Sequence, residues 1–108
     1  MKRIMSRKIT YIIHETNRPV YTIGIAAELV GVHPRTLRIY EEEGLVHPKR
    51  LNKKNRLYSQ EEIARIRTIC ELIEKRGLNL AGIRTLLEMA KRFHVEVDQM
   101  MRGLLEGF

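Results

Sequence analysis

The chain predicts a mainly α fold: a helix-turn-helix, a small β-hairpin and further helices behind it. Three observations predict it. Two short segments with apolar faces, Ile23 to Val30 and Pro34 to about Glu43, are separated by Gly31 and a tight connection. From Leu45 to Tyr58 the helical period breaks, and Pro48, Asn52 and Asn55 punctuate a stretch that reads as two short strands. From Ser59 onward apolar residues recur every three or four positions.

The elements follow in order. Residues 1–20 form an N-terminal arm, in which Ile9, Tyr11 and Ile13 alternate imperfectly and Asn17-Arg18-Pro19 makes a turn. Thr22 is placed to N-cap the first helix, and Gly31 to end it. Pro34 suits the first turn of the second helix, where its missing N–H costs nothing, and Gly44 stops that helix. The hairpin has its tip at Lys53-Lys54-Asn55. Ser59-x-x-Glu62 is a capping box, and behind it Ile63, Ile66, Ile69, Cys70 and Ile73 share one helical face as far as Gly77. Asn79 caps a fourth helix with the stripe Leu80, Ile83, Leu86, Leu87 and Ala90.

After Phe93, Val97, Met101, Leu104 and Phe108 repeat at steps of four, three and four, with Met100 and Leu105 beside them. The spacing predicts a short seam through which two copies associate, weakened by Gly103 and Gly107. The expected organisation is therefore an arm (1–20), a helix-turn-helix domain (21–93) and a C-terminal helix or tail (94–108).

A chain of 108 residues suits one folded domain. Its formal charge is +7, and all of the excess lies in residues 1–60, with twelve Lys and Arg against five acids. Residues 61–108 carry eight of each sign. Such asymmetry points to an anionic partner, either nucleic acid or a membrane surface. The one cysteine rules out an intrachain disulfide and fits a reducing compartment. No apolar run approaches the roughly 18 residues of a membrane span, and basic Met1–Lys8 lacks the apolar stretch of a signal peptide. The expected location is the cytoplasm, with no membrane association.

The helix pair meets specific packing demands. Ala27 is small where the helices cross, Gly31 tolerates a left-handed turn, and Ala26, Val30, Val32, Leu37 and Tyr40 have the offsets to meet in the corner. With Leu37 and Tyr40 inward, Arg35, Thr36, Arg38 and Ile39 are candidates for the outer surface, and Arg35 and Thr36 sit near the N-terminus, the end of a recognition helix that enters a major groove. Arginine reads guanine through paired bonds to O6 and N7. Solvated helix residues would look the same in isolation, but the next segment decides between the readings. Lys49, Arg50, Lys53, Lys54 and Arg56 put five cations and no acid into eight residues. On a hairpin beside the second helix they form a wing against phosphates. Glu41-Glu42-Glu43 would repel DNA and is expected to face away from the groove.

No nucleophile–base pair, glycine-rich phosphate loop or carboxylate dyad occurs, so the chain reads as a binding module with no cofactor, not an enzyme. Cys70 is alone on an apolar stripe and reads as a core residue rather than a metal ligand. His14, His33, His47 and His94 lack paired spacing, and His33 reads as a turn residue.

Tyr21-Thr22-Ile23-Gly24, Ala27, Gly31-Val32, Pro34-Arg35-Thr36-Leu37-Arg38, Tyr40-Glu41, Gly44-Leu45, Arg56 and Tyr58-Ser59 resemble the winged helix-turn-helix of the MerR family of transcription regulators. The resemblance runs from about Val20 to Phe93. It implies a homodimer on an inverted repeat in double-stranded DNA, with the third and fourth helices as a second wing. Candidate DNA contacts are then Thr22, Arg35, Thr36, Arg38, Tyr40, Lys49, Arg50, Lys53, Lys54, Arg56 and Tyr58, and candidate dimer contacts are Val97, Met100, Met101, Leu104, Leu105 and Phe108.

Two positions depart from the family's habit: His33 stands where Ser is usual, and Ile39 where Tyr is usual. His33-Pro34, Pro19-Val20-Tyr21, Ala26-Ala27-Glu28-Leu29 and Leu78-Asn79-Leu80-Ala81-Gly82-Ile83 are similar to the heat-shock-repressor (HspR-like) subgroup. That similarity implies a repressor of chaperone genes, with the chaperone DnaK as co-repressor. A MerR-type activator that distorts its promoter in response to a small molecule stays open, as does a protein-interaction or RNA-binding module on the same scaffold.

Overall fold

The computed structural model describes residues 16–107. Within them lie five helices and three short strands: β1 (Tyr21–Thr22), α1 (Ile23–Val30), α2 (Pro34–Glu42), β2 (Lys49–Arg50), β3 (Arg56–Tyr58), α3 (Gln60–Arg76), α4 (Leu80–Arg92) and α5 (Val97–Glu106). The fold is mainly helical with a small antiparallel sheet, as the winged helix-turn-helix reading requires. The alternating stretch Ile9–Ile13 and Phe108 lie outside the described residues.

Each helix begins where a side chain can satisfy its free N–H groups. Thr22 Oγ1 accepts from the Ile25 amide at 3.3 Å, and Gly31 ends α1 at φ +83°, a left-handed conformation that suits glycine. His33, expected only as a turn residue, is the N-cap of α2: its Nδ1 accepts from the Arg35 amide at 3.0 Å. This explains how His can stand where Ser is usual, since both offer an acceptor at that position. The Ser59–Glu62 capping box is complete, with the Ser59 hydroxyl accepting from the Glu62 amide and the Glu62 carboxylate accepting from the Ser59 amide. Asn79 caps α4 through the Gly82 amide at 2.8 Å. Glu96, which no sequence pattern marked, caps α5 by accepting from the Asp98 and Gln99 amides. That cap helps α5 persist for ten residues despite Gly103.

The sheet has the order β1-β3-β2, antiparallel throughout. Arg50 pairs with Arg56 and Lys49 with Leu57, which makes the expected hairpin; Tyr21 and Thr22 add a third strand opposite Tyr58 and Leu57. At the tip, Asn52 Oδ1 accepts from the Lys54 and Asn55 amides, both at 2.9 Å, so a side chain replaces the backbone turn.

The core joins Ala26, Ala27, Leu37, Tyr40, Leu45 and Val46 of the helix-turn-helix to Tyr58, to Ile63, Ile66, Ile69 and Leu72 of α3, to Ile83 of α4 and to Met101 of α5. Each fully buried Leu or Ile contributes about 1.5–3 kcal/mol.

The tail departs from expectation. Met101 is fully buried within its own chain, and Val97, Leu104 and Leu105 pack against the same core. Arg65 pairs with Asp98 at 2.9 Å, and the Arg76 guanidinium donates to the Leu105 carbonyl at 3.1 Å, which lays α5 along α3. Part of the apolar face expected to meet a second copy therefore packs inside the chain: Met101 fully, and Val97, Leu104 and Leu105 in part. The physical reason is that α3 offers a long apolar face to cover. Covering it from within avoids the translational and rotational entropy lost on association.

Candidate nucleic-acid interface

The caps of α2 aim its surface. With Leu37 fully buried and Tyr40 nearly so, the helix turns Arg35, Arg38 and Ile39 outward, with Thr36 half-buried. Thr22 is exposed at the start of α1, its hydroxyl engaged in the cap. On the hairpin, Lys49, Arg50, Lys53 and Lys54 are exposed.

Helix and wing are joined through Glu41. One carboxylate oxygen pairs with Arg50 Nε at 3.0 Å, and the other pairs with Arg56 Nε. This clamp fixes the basic hairpin beside the helix that carries Arg35 and Arg38. Glu41 is thus turned into the wing, a role that its expected orientation away from the groove had missed. The signal available was its place three residues after Arg38 on one face of α2. Farther along, Glu43 pairs with Arg84 of α4, which ties the α3–α4 pair to the end of α2.

Three expected contacts change role. Tyr40 is buried, with its hydroxyl 3.7 Å from Cys70 Sγ. Burial, then that contact, hold the phenol well above its usual range; burial likewise pushes the Cys70 thiol up. Tyr58 is wholly buried, and among the described residues its hydroxyl has no hydrogen-bond partner. Burial, then the nearby Glu41 charge, push its pKa up to about 12 against the opposing pull of Arg56. Neither ring is presented to a groove. Arg56, with its side chain only 11% exposed, is engaged by Glu41 and by the Lys54 carbonyl at 3.3 Å. Burial and internal pairing make all three part of the scaffold beneath the interface.

Cys70 lies half-buried beside the core. Among the described residues no three His, Cys, Asp or Glu side chains gather as a metal site would need, and no helix is long and apolar enough to cross a membrane.

A capped helix with outward arginines, held beside a cationic hairpin, defines a winged helix-turn-helix protein. The profile of the MerR HTH family of regulatory proteins matches residues 21–99. The chain is 45% identical over 71 residues to a Streptomyces coelicolor protein named as the heat shock protein HspR, covering 66% of this chain and 47% of that one. It is 38% identical over 71 residues to the transcriptional regulator GlnR of Bacillus cereus, covering 66% and 54%. With TnrA of Bacillus subtilis it shares 31% identity over 91 residues, 84% of this chain and 82% of that regulator. The chain belongs to the MerR family. GlnR and TnrA are named as HTH-type transcriptional regulators. The chain spans about half the length of HspR and GlnR.

Proposed function

We propose that the chain represses heat-shock or chaperone genes by binding, as a homodimer, to an inverted repeat in double-stranded DNA. The observation that supports the DNA contact is the Glu41 clamp, which ties the basic hairpin to the helix that carries Arg35 and Arg38. In this reading Arg35, Thr36 and Arg38 read base edges from α2. Lys49, Arg50, Lys53 and Lys54 meet phosphates, with Thr22 at the flank. The similarity to a protein named for heat shock supports the class of target genes. DnaK is the proposed co-repressor on the same resemblance.

Since Val97, Met101, Leu104 and Leu105 cover their own core, contact between copies falls to the outer side of α5. There Met100 and Val95 line one shallow cleft, and Phe93 is exposed just before it. Selecting bound fragments from random duplex DNA tests the proposal. A two-fold repeat among the recovered sequences, bound more tightly when DnaK is added, is the expected result. Fragments without symmetry would overturn the dimeric repressor, and indifference to DnaK would overturn the co-repressor. Sedimentation of the free protein checks the dimer directly.

A further inference from the structure

Two arginines share the Glu41 carboxylate on unequal terms. The Arg56 side chain is 11% exposed, Glu41 is 13% exposed, and Arg56 is held a second time by the Lys54 carbonyl. Arg50 reaches the other oxygen from the surface, with 53% of its side chain exposed. A shielded pair with an added hydrogen bond holds a geometry. A pair open to water is weak and exchanges readily.

Resting on the DNA-binding reading above, we propose that Glu41 is a positioning residue with two separate functions. Through Arg56 it sets the angle of the wing against α2. Through Arg50 it holds an exchangeable cation, which leaves Glu41 for a backbone phosphate when duplex DNA arrives. Transfer to phosphate is favoured because it releases counterions, whereas the pair with Glu41 releases none. The carboxylate also restrains binding to arbitrary sequence. Arg50 is held by Glu41 until a duplex presents a phosphate within its reach, so a backbone that offers none there does not gain the contact.

The test measures affinity across a salt series for two probes: the repeat-containing duplex recovered by selection, and a random-sequence duplex of equal length. Glu41→Gln should bind the random duplex about three- to tenfold more tightly and reduce the preference for the selected duplex by about tenfold. Arg50→Gln should weaken both and lower the slope of log K against log salt by about one. Arg56→Gln should reduce the preference while leaving that slope unchanged. In the Arg50→Gln background, Glu41→Gln should no longer tighten random-duplex binding.

Equal slope losses for the two arginine variants, or a Glu41→Gln gain that survives without Arg50, would overturn the exchange. A parent chain that binds duplex no better than single-stranded DNA would overturn the DNA-binding reading, and the exchange with it. Should Glu41→Gln fail to fold, the Nε–H resonances of the parent decide. On adding random duplex Arg50 should shift and Arg56 should hold; the converse refutes the proposal.

Discussion

Residues 20–58 and residues 59–107 both bury apolar faces, yet they treat charge in opposite ways. In the first region the helices are eight and nine residues long and the strands two or three. Helices that short are not stable alone; they are held by Ala26, Ala27, Leu37 and Tyr40 in the shared core. Their cations are mostly exposed and in excess of acids. In the second region the helices run to 17, 13 and 10 residues, and the charges balance. There the charges serve the fold. Glu61 and Glu62 lie in the first turn of α3 and Lys75 and Arg76 in its last, each sign at the end where the helix dipole favours it. Other charges of this region find partners within the chain, as Arg65 does in Asp98 and Arg84 in Glu43, while Lys49, Lys53 and Lys54 of the hairpin are left in water. Arg56 is the exception inside the basic region, and its burial marks it as structural.

The sharpest way to break this comparison is through α5, which completes the second region. Met101→Ala removes a fully buried side chain and should cost about 2–5 kcal/mol. Urea unfolding at several protein concentrations checks it. A loss that vanishes at low protein concentration, where copies separate, would mean that Met101 is covered by a second copy; a loss below about 1 kcal/mol at every concentration would mean that α5 does not pack on the core. Next comes Arg38→Ala, which should weaken binding to the selected duplex by about 1–3 kcal/mol without moving the melting temperature, since the side chain is exposed. Unchanged affinity would remove Arg38 from the interface. Ser59→Ala breaks the capping box at the junction of the two regions and should lower stability by about 1 kcal/mol, leaving DNA affinity per folded molecule intact. A larger effect on affinity than on stability would show that the cap also orients the wing.

What was legible in the sequence was local. The caps at Thr22, Ser59 and Asn79, the stops at Gly31, Gly44 and Gly77, and the stripe of α3 depend on residues within one or two turns, and the structure places each as expected. What was not legible depends on distant partners. Tyr21 and Thr22 become a strand only because Tyr58 and Leu57 return beside them. Glu41 turns toward the wing only because Arg50 and Arg56 return with it. The repeat in α5 identified its apolar face correctly, but periodicity tells which face is buried and not against what. Tyr40 was read as inward from its spacing, while the family resemblance set it among the contacts; its burial favours the spacing.

The smallest expected effect concerns Tyr58, where the two regions meet. Its hydroxyl is buried without a partner among the described residues, so Tyr58→Phe removes an unsatisfied polar group while keeping the ring in place. At neutral pH the variant should be as stable as the parent, or more stable by up to about 1 kcal/mol. The pH dependence supplies an independent check. Below the unfolded tyrosine pKa of roughly 10 both states keep the proton, and this residue adds no slope. Above it the unfolded chain loses the proton, while the folded chain holds it until about 12, so the parent loses stability as pH rises through that window. The Phe variant should lose less over the same range, and the remaining decline would include the share of Tyr40, whose phenol is also raised. Denaturant midpoints on both sides of pH 10 measure both effects. A variant less stable by 1 kcal/mol or more at neutral pH would show that the hydroxyl does have a partner, with ordered water bridging to Glu41 or Glu62 as the first place to look.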